Sequence, residues 1–108
     1  MVRVSGNSIY LTRGDTCKIT IVITQDGDPY PPSEGDRIRF ALNKRYAETE
    51  PLILRDIPTD TLLLHLVPED TKELEFGKYR YDISLTKENG DVDTFIGPAW
   101  FYITEEVD

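Results

Sequence analysis

Cysteine is all but missing from this chain: Cys17 stands alone. One thiol cannot close an internal disulfide or build a thiolate cluster for zinc, so the fold must stand on packing. A lone thiol also fits synthesis in a reducing compartment. Histidine is as scarce, with His65 alone. Unbroken apolar runs are short, as at residues 62–64 and 99–103, whereas a helical membrane span needs about 20. The opening Met1-Val2-Arg3-Val4-Ser5-Gly6-Asn7-Ser8 lacks the apolar h-region of a signal peptide. Positive charge is in short supply: Lys and Arg total 12 against 20 Asp and Glu, a formal charge of −8. That balance repels phosphate backbones and anionic lipid, so neither nucleic acid nor membrane is expected as a partner.

What remains is ordinary globular material, 39% apolar and 30% charged. A length of 108 residues makes one domain, residues 1–108, with one core. Such a chain buries roughly two-thirds of its unfolded surface. It has no room for a cofactor domain beside a substrate domain.

The dominant period is two, not 3.6. In residues 16–24, Cys17, Ile19, Ile21 and Ile23 share one face, and Lys18, Thr20 and Thr24 the other. β-Branched side chains suit a strand here. Residues 37–43 place Ile38, Phe40 and Leu42 inward and Arg37, Arg39 and Asn43 outward. Residues 61–67 place Leu62, Leu64 and Leu66 inward, with Leu63 and Val67 on a partly covered outer face. Residues 78–86 place Tyr79, Tyr81, Ile83 and Leu85 against Lys78, Arg80, Asp82, Ser84 and Thr86. Ile9 and Leu11 mark a short first strand, and Phe95, Phe101 and Ile103 are the core positions of a last strand over 92–104.

Turn chemistry separates these runs. Asp26-Gly27-Asp28-Pro29 is a turn, and residues 31–36 form an exposed loop. Glu88-Asn89-Gly90-Asp91 is a hairpin, with Asn-Gly suited to a type I′ turn. Gly97-Pro98 breaks the last strand and marks a bulge or an edge, since proline has no backbone donor. Residues 68–74 are the one helical segment expected, a turn or two with acidic residues where the dipole favours them. About seven short strands with almost no helix predict an all-β, two-sheet β-sandwich. Glu75-Phe76-Gly77-Lys78-Tyr79 matches a tyrosine corner, in which the phenol bonds back to the upstream backbone; it raises an Ig-like Greek key above other sandwiches.

The residues that could carry chemistry mostly read as scaffold. Arg13-Gly14-Asp15 spells an integrin-binding tripeptide, but Gly14-Asp15 serves equally to turn the chain between the first two strands. Asp91 and Asp93 alternate as calcium ligands do, yet they close a hairpin without the terminal Glu or flanking helices of such a loop. Cys17 and His65 alternate onto opposite faces, so they cannot form a nucleophile–base dyad. Carboxylates are plentiful, but no pair is marked out by an apolar pocket. The terminal Glu105-Glu106-Val107-Asp108 matches a chaperone tail motif and reads as a frayed acidic end. No catalytic residue, cofactor or metal is expected. If Phe101 and Ile103 face the core, Trp100 and Tyr102 form an outward aromatic stripe. Such a stripe suits a protein interface or a sugar platform.

Taken in order, several segments fit one family. They are Ile9-Tyr10-Leu11-Thr12-Arg13-Gly14-Asp15-Thr16, then Gly35-Asp36-Arg37-Ile38-Arg39-Phe40, then Pro68-Glu69-Asp70-Thr71 followed by Leu74. Gly77-Lys78-Tyr79-Arg80-Tyr81-Asp82-Ile83, Asn89-Gly90-Asp91-Val92-Asp93-Thr94 and Phe101-Tyr102-Ile103 complete the series. Over about residues 7 to 105 the chain resembles the Ig-like module of phage and prophage tail or baseplate proteins of Gram-positive hosts, such as the N-terminal domain of the baseplate upper protein. Baseplate upper proteins continue past this module, whereas this chain stops at Asp108, as a free-standing protein or an excised domain would.

The resemblance implies a non-catalytic structural or assembly role in the virion, after synthesis in the bacterial cytoplasm. Its implied partners are other tail or baseplate proteins, or further copies of itself. On the sequence, the contact surface is Trp100 and Tyr102 with the exposed edge around Gly97 and Pro98. A competing reading is a carbohydrate-binding module for host cell-wall glycans, stacking sugars on Trp100, Tyr102, Tyr30 or Tyr46.

Overall fold

Alternation of apolar and polar side chains becomes strand almost everywhere it occurs. The computed structural model describes residues 2–25, 28–29, 32–33, 35–44 and 50–105, with the side chains of Thr24, Gln25, Pro29, Phe95 and Pro98 excepted. In chain order the elements are β1 (Val2–Ser5), β2 (Ser8–Thr12), β3 (Cys17–Thr20), β4 (Thr24–Gln25), β5 (Asp28–Pro29) and β6 (Arg37–Asn43). They continue with β7 (Ile53–Ile57), β8 (Leu63–Leu66), α1 (Pro68–Thr71), β9 (Gly77–Thr86) and β10 (Val92–Thr104). The fold is all-β and sandwich-like. A six-stranded sheet in the order β1-β2-β10-β9-β6-β7 packs against the β3–β8 pair, and β4–β5 forms a small separate ribbon.

Pairing within the large sheet is antiparallel except where β2 runs parallel to β10. Its inner face carries Ile9, Leu11, Ile38, Phe40, Leu42, Tyr79, Tyr81, Ile83, Leu85, Phe101 and Ile103, all buried. Cys17, Ile21, Ile23, Leu64 and Leu66 close the core from the other side. The faces expected for Phe101 and Ile103 are those observed; the Phe95 side chain lies outside the described residues, as do the turn residues Asp26 and Gly27.

The structure departs locally from expectation in its strands and in one turn. β1 and β7 are additional strands: β1 has a mostly exposed pattern, and β7 buries only Ile53 and Ile57. The helical segment is a turn, as expected, over Pro68–Thr71, after which the Leu74 amide donates to the Thr71 carbonyl. The β9–β10 hairpin forms, but its turn is not type I′. Only Gly90 takes a positive φ, +96°, while the Gly90 amide donates to the Lys87 carbonyl and the Lys87 amide to the Asp91 carbonyl. That is a type I turn closed by a glycine bulge. The Asn89 side-chain oxygen accepts the Asp91 amide at 3.0 Å and fixes it.

Four hydrogen bonds hold the corner where the chain crosses between layers. The Arg55 guanidinium on β7 meets Asp70 at 2.7 Å and the His65 carbonyl at 3.2 Å. The second Asp70 oxygen accepts the Val67 amide at 2.8 Å, at the start of α1. Thr71, fully buried, accepts the Gly14 amide at 2.9 Å and so pins the β2–β3 turn to the helical turn.

Candidate functional site

The outward side chains of the large sheet form a continuous row across four strands. Strand pairing sets it: Arg3 on β1 lies opposite Tyr10 on β2, Tyr10 opposite Tyr102 on β10, and Tyr102 opposite Lys78 on β9. One step along the same two strands, Trp100 lies opposite Arg80. The Arg3 guanidinium sits 4.4 Å above the Tyr10 ring. Tyr10 and Tyr102 stack at 4.5 Å and 5°. The Lys78 ammonium lies 3.8 Å from the Trp100 ring centre and 5.9 Å from that of Tyr102. The Arg80 guanidinium is 5.8 Å from Trp100. Cations over π faces are attracted by the ring quadrupole, which holds these long side chains in place.

Trp100 and Tyr102 are therefore where the sequence puts them, on the outer face, with Trp100 37% exposed. Their partners Tyr10, Arg3 and Lys78 were not singled out from sequence. Tyr10 alternates with buried Ile9 and Leu11, so its outward direction was legible. Its contact with Tyr102 depends on a parallel pairing between the two ends of the chain, which no local pattern encodes.

Gly97 interrupts the register of β10, which shifts between Thr94 and Ile96 and again between Ile96 and Ala99. A Cβ at Gly97 would lie 2.8 Å from Asp82 Cβ and 2.9 Å from Thr94 Cγ2, so only glycine fits against β9 there. The Pro98 side chain lies outside the described residues. Among the described residues, 92–100 of β10 pair with β9 alone, since β2 reaches only Phe101 to Thr104. The break is thus both a bulge and the margin of an open edge.

The other sequence motifs settle into structural roles. In Arg13-Gly14-Asp15, Gly14 has φ +82° and the Asp15 amide donates to the Thr12 carbonyl, which makes the turn. Arg13 lies 4.1 Å from the Phe76 ring centre and reaches the Leu74 carbonyl at 3.4 Å. Asp91 accepts the Asn89 amide group, and Asp93 pairs with Lys87 at 3.7 Å. Cys17 is buried opposite Leu66, while His65, on the neighbouring register position, is exposed. Burial pushes the Cys17 thiol up to about 11. Tyr30, Tyr46 and the last three residues, Glu106, Val107 and Asp108, lie outside the described residues. An apolar cleft of about 210 Å³ opens between the layers beside Ile9, Ile19, Leu64, Tyr81 and Ile96. It is smaller than ordinary ligand pockets, which run to roughly 300–1,000 Å³.

A scan against protein-family models gives no match to this sequence, and a search of curated proteins gives none.

Proposed function

We propose that this domain is a non-catalytic structural module of a phage or prophage tail or baseplate, acting in the virion through contacts with other tail proteins. The observation that carries the proposal is the exposed cation–aromatic row beside an open strand edge. Aromatic and arginine side chains held rigidly at a surface are the usual anchors of protein interfaces. An unpaired edge offers backbone groups to a partner strand.

The Ig-like part of the reading has its own support. The Tyr79 hydroxyl donates to the Glu75 carbonyl at 2.7 Å at the start of β9, as a tyrosine corner requires. The β6-β9-β10 order in one layer and the β3–β8 pair in the other match the C-F-G and B-E neighbours of such a sandwich.

Glycan binding by stacking needs ring faces turned to solvent. Here Tyr10 and Tyr102 face each other and Lys78 covers Trp100. That geometry favours protein contact over a sugar platform.

The test is a pull-down with tagged domain from an induced lysate of a lysogenic host, beside a Trp100→Ala control. The expected result is recovery of tail or baseplate proteins, reduced about tenfold or more in the control, as for a hot-spot aromatic. The control should keep the unfolding transition of the parent. Hits on a glycan array with a change in Trp100 fluorescence, or no phage protein recovered, would overturn the proposal.

A further inference from the structure

We infer that the cation–aromatic row receives an acidic, extended segment of a partner protein. The inference deepens the protein-contact reading above and rests on it.

Charge is the first argument. In a chain of net charge −8, Arg3, Lys78 and Arg80 converge on one strip of one face. Four other basic side chains take carboxylate partners: Arg37 and Arg39 meet Asp56, Arg55 meets Asp70, and Lys87 meets Asp93. Arg3 and Lys78 form no ion pair among the described residues and lie over rings instead. A ring occupies one side of a cation and leaves its other donors in water, ready for a carboxylate. It also restrains the side chain beforehand, which lowers the entropy lost on binding.

Shape is the second. From β1 to β9 the row crosses three strand spacings, roughly 14 Å, the reach of about four extended residues. Among the described residues, the open edge of β10 begins beside the row, at Trp100. The backbone N–H and C=O groups along 92–100, Pro98 lacking the N–H, carry the donor and acceptor spacing that an extended peptide strand repeats and that a phosphate polymer or a neutral sugar does not. Charge selects an acidic ligand, and the edge selects a peptide.

Trp100 is the single tryptophan, so its fluorescence reports on the row directly. The experiment titrates the whole 108-residue chain with decaglutamate, decaglutamine and polyglycerol phosphate. A saturable change with decaglutamate, several-fold weaker at ~0.5 M salt, is the expected result. Lys78→Gln and, separately, Arg3→Gln should each shift the midpoint about fivefold, the effect of one lost surface ion pair, while Lys78→Arg retains binding. An equal response to decaglutamine, no saturable response, or midpoints unmoved by both variants would overturn the inference. So would tighter binding of polyglycerol phosphate, or a dimer in sedimentation equilibrium that Lys78→Gln dissolves. If Trp100→Ala abolishes capture of tail proteins while decaglutamate is silent, the acidic chemistry fails and the protein-contact reading stands. If decaglutamate binds as expected while Trp100→Ala leaves that capture intact, acidic recognition stands and the tail assignment alone fails.

Discussion

The Tyr79 hydroxyl donates to the Glu75 carbonyl oxygen at 2.7 Å, four residues upstream, where the chain leaves α1 and enters the longest antiparallel pairing of the sheet. The Tyr79 ring is buried, so the bond anchors a surface corner to the core. Tyr79→Phe keeps the ring and removes only the hydroxyl. Its expected effect is a loss of about 1 kcal/mol in unfolding free energy, the net worth of one such bond. Urea titration should show a lower midpoint with an unchanged m-value. A variant as stable as the parent would mean that the corner is held by packing alone.

Gly97 carries a second prediction, because it was singled out from sequence for contact and the structure gives it a packing role. With Asp82 Cβ only 2.8 Å from its would-be Cβ, Gly97→Ala must displace β10 from β9. Overpacking of this kind destabilises by roughly 1–3 kcal/mol. The loss should appear in thermal unfolding. Trp100→Ala on the exposed face should leave stability nearly unchanged, within about 0.5 kcal/mol. Equal losses from both would place the Trp100 side chain among structural contacts.

Local alternation made most strands legible. β9 and β10 read directly, because Tyr79, Tyr81, Ile83 and Leu85 alternate with polar side chains and Asn89-Gly90 closes the hairpin. β7 did not, since Leu52 and Leu54 face solvent and blur the alternation of Ile53 and Ile57. The turn type at Gly90 was missed because one Asn-Gly pair serves both a two-residue turn and a longer bulged one. Half of the candidate site was legible: Trp100 and Tyr102 point outward because Phe101 and Ile103 point in. The other half was not. Arg3 and Tyr10 reach Tyr102 through the parallel β2–β10 pairing, which joins residues about ninety apart in sequence and leaves no periodic trace.

Asp82 gives a prediction in pH. Partial burial beside the β10 bulge raises its carboxyl above the ordinary 3.8. The folded state therefore holds the proton more tightly than the unfolded chain does. Its contribution to stability is fully present below pH 3.8 and is lost as pH rises through the raised value. Near neutral pH the ionised group opposes folding. Asp82→Asn should thus be more stable than the parent at pH 7 and lose that advantage at pH 3. A constant difference between the two proteins across this range would contradict the assignment.

The buried thiol makes the opposite end of the pH scale informative. Cys17 has no exposed surface, and burial lifts its pKa from 9.0 to about 11. Thiolate is the reactive form, so native protein at pH 8 should react with Ellman's reagent only through opening of the fold. Urea should release one fast-reacting equivalent per chain, from the single cysteine. The same shift fixes a stability limb. The unfolded chain ionises near 9 and the folded one near 11, so this contribution is full below pH 9 and is lost as pH climbs through about 11. Tyr79 and Tyr81, both raised above 10.0 chiefly by burial, steepen the fall at its upper end. Cys17→Ala removes the first part of the limb and leaves the tyrosine part. Its urea midpoint should hold closer to constant between pH 9 and 10 than the parent's. Rapid labelling of folded protein at pH 8, or identical alkaline limbs in the two proteins, would show that Cys17 meets solvent.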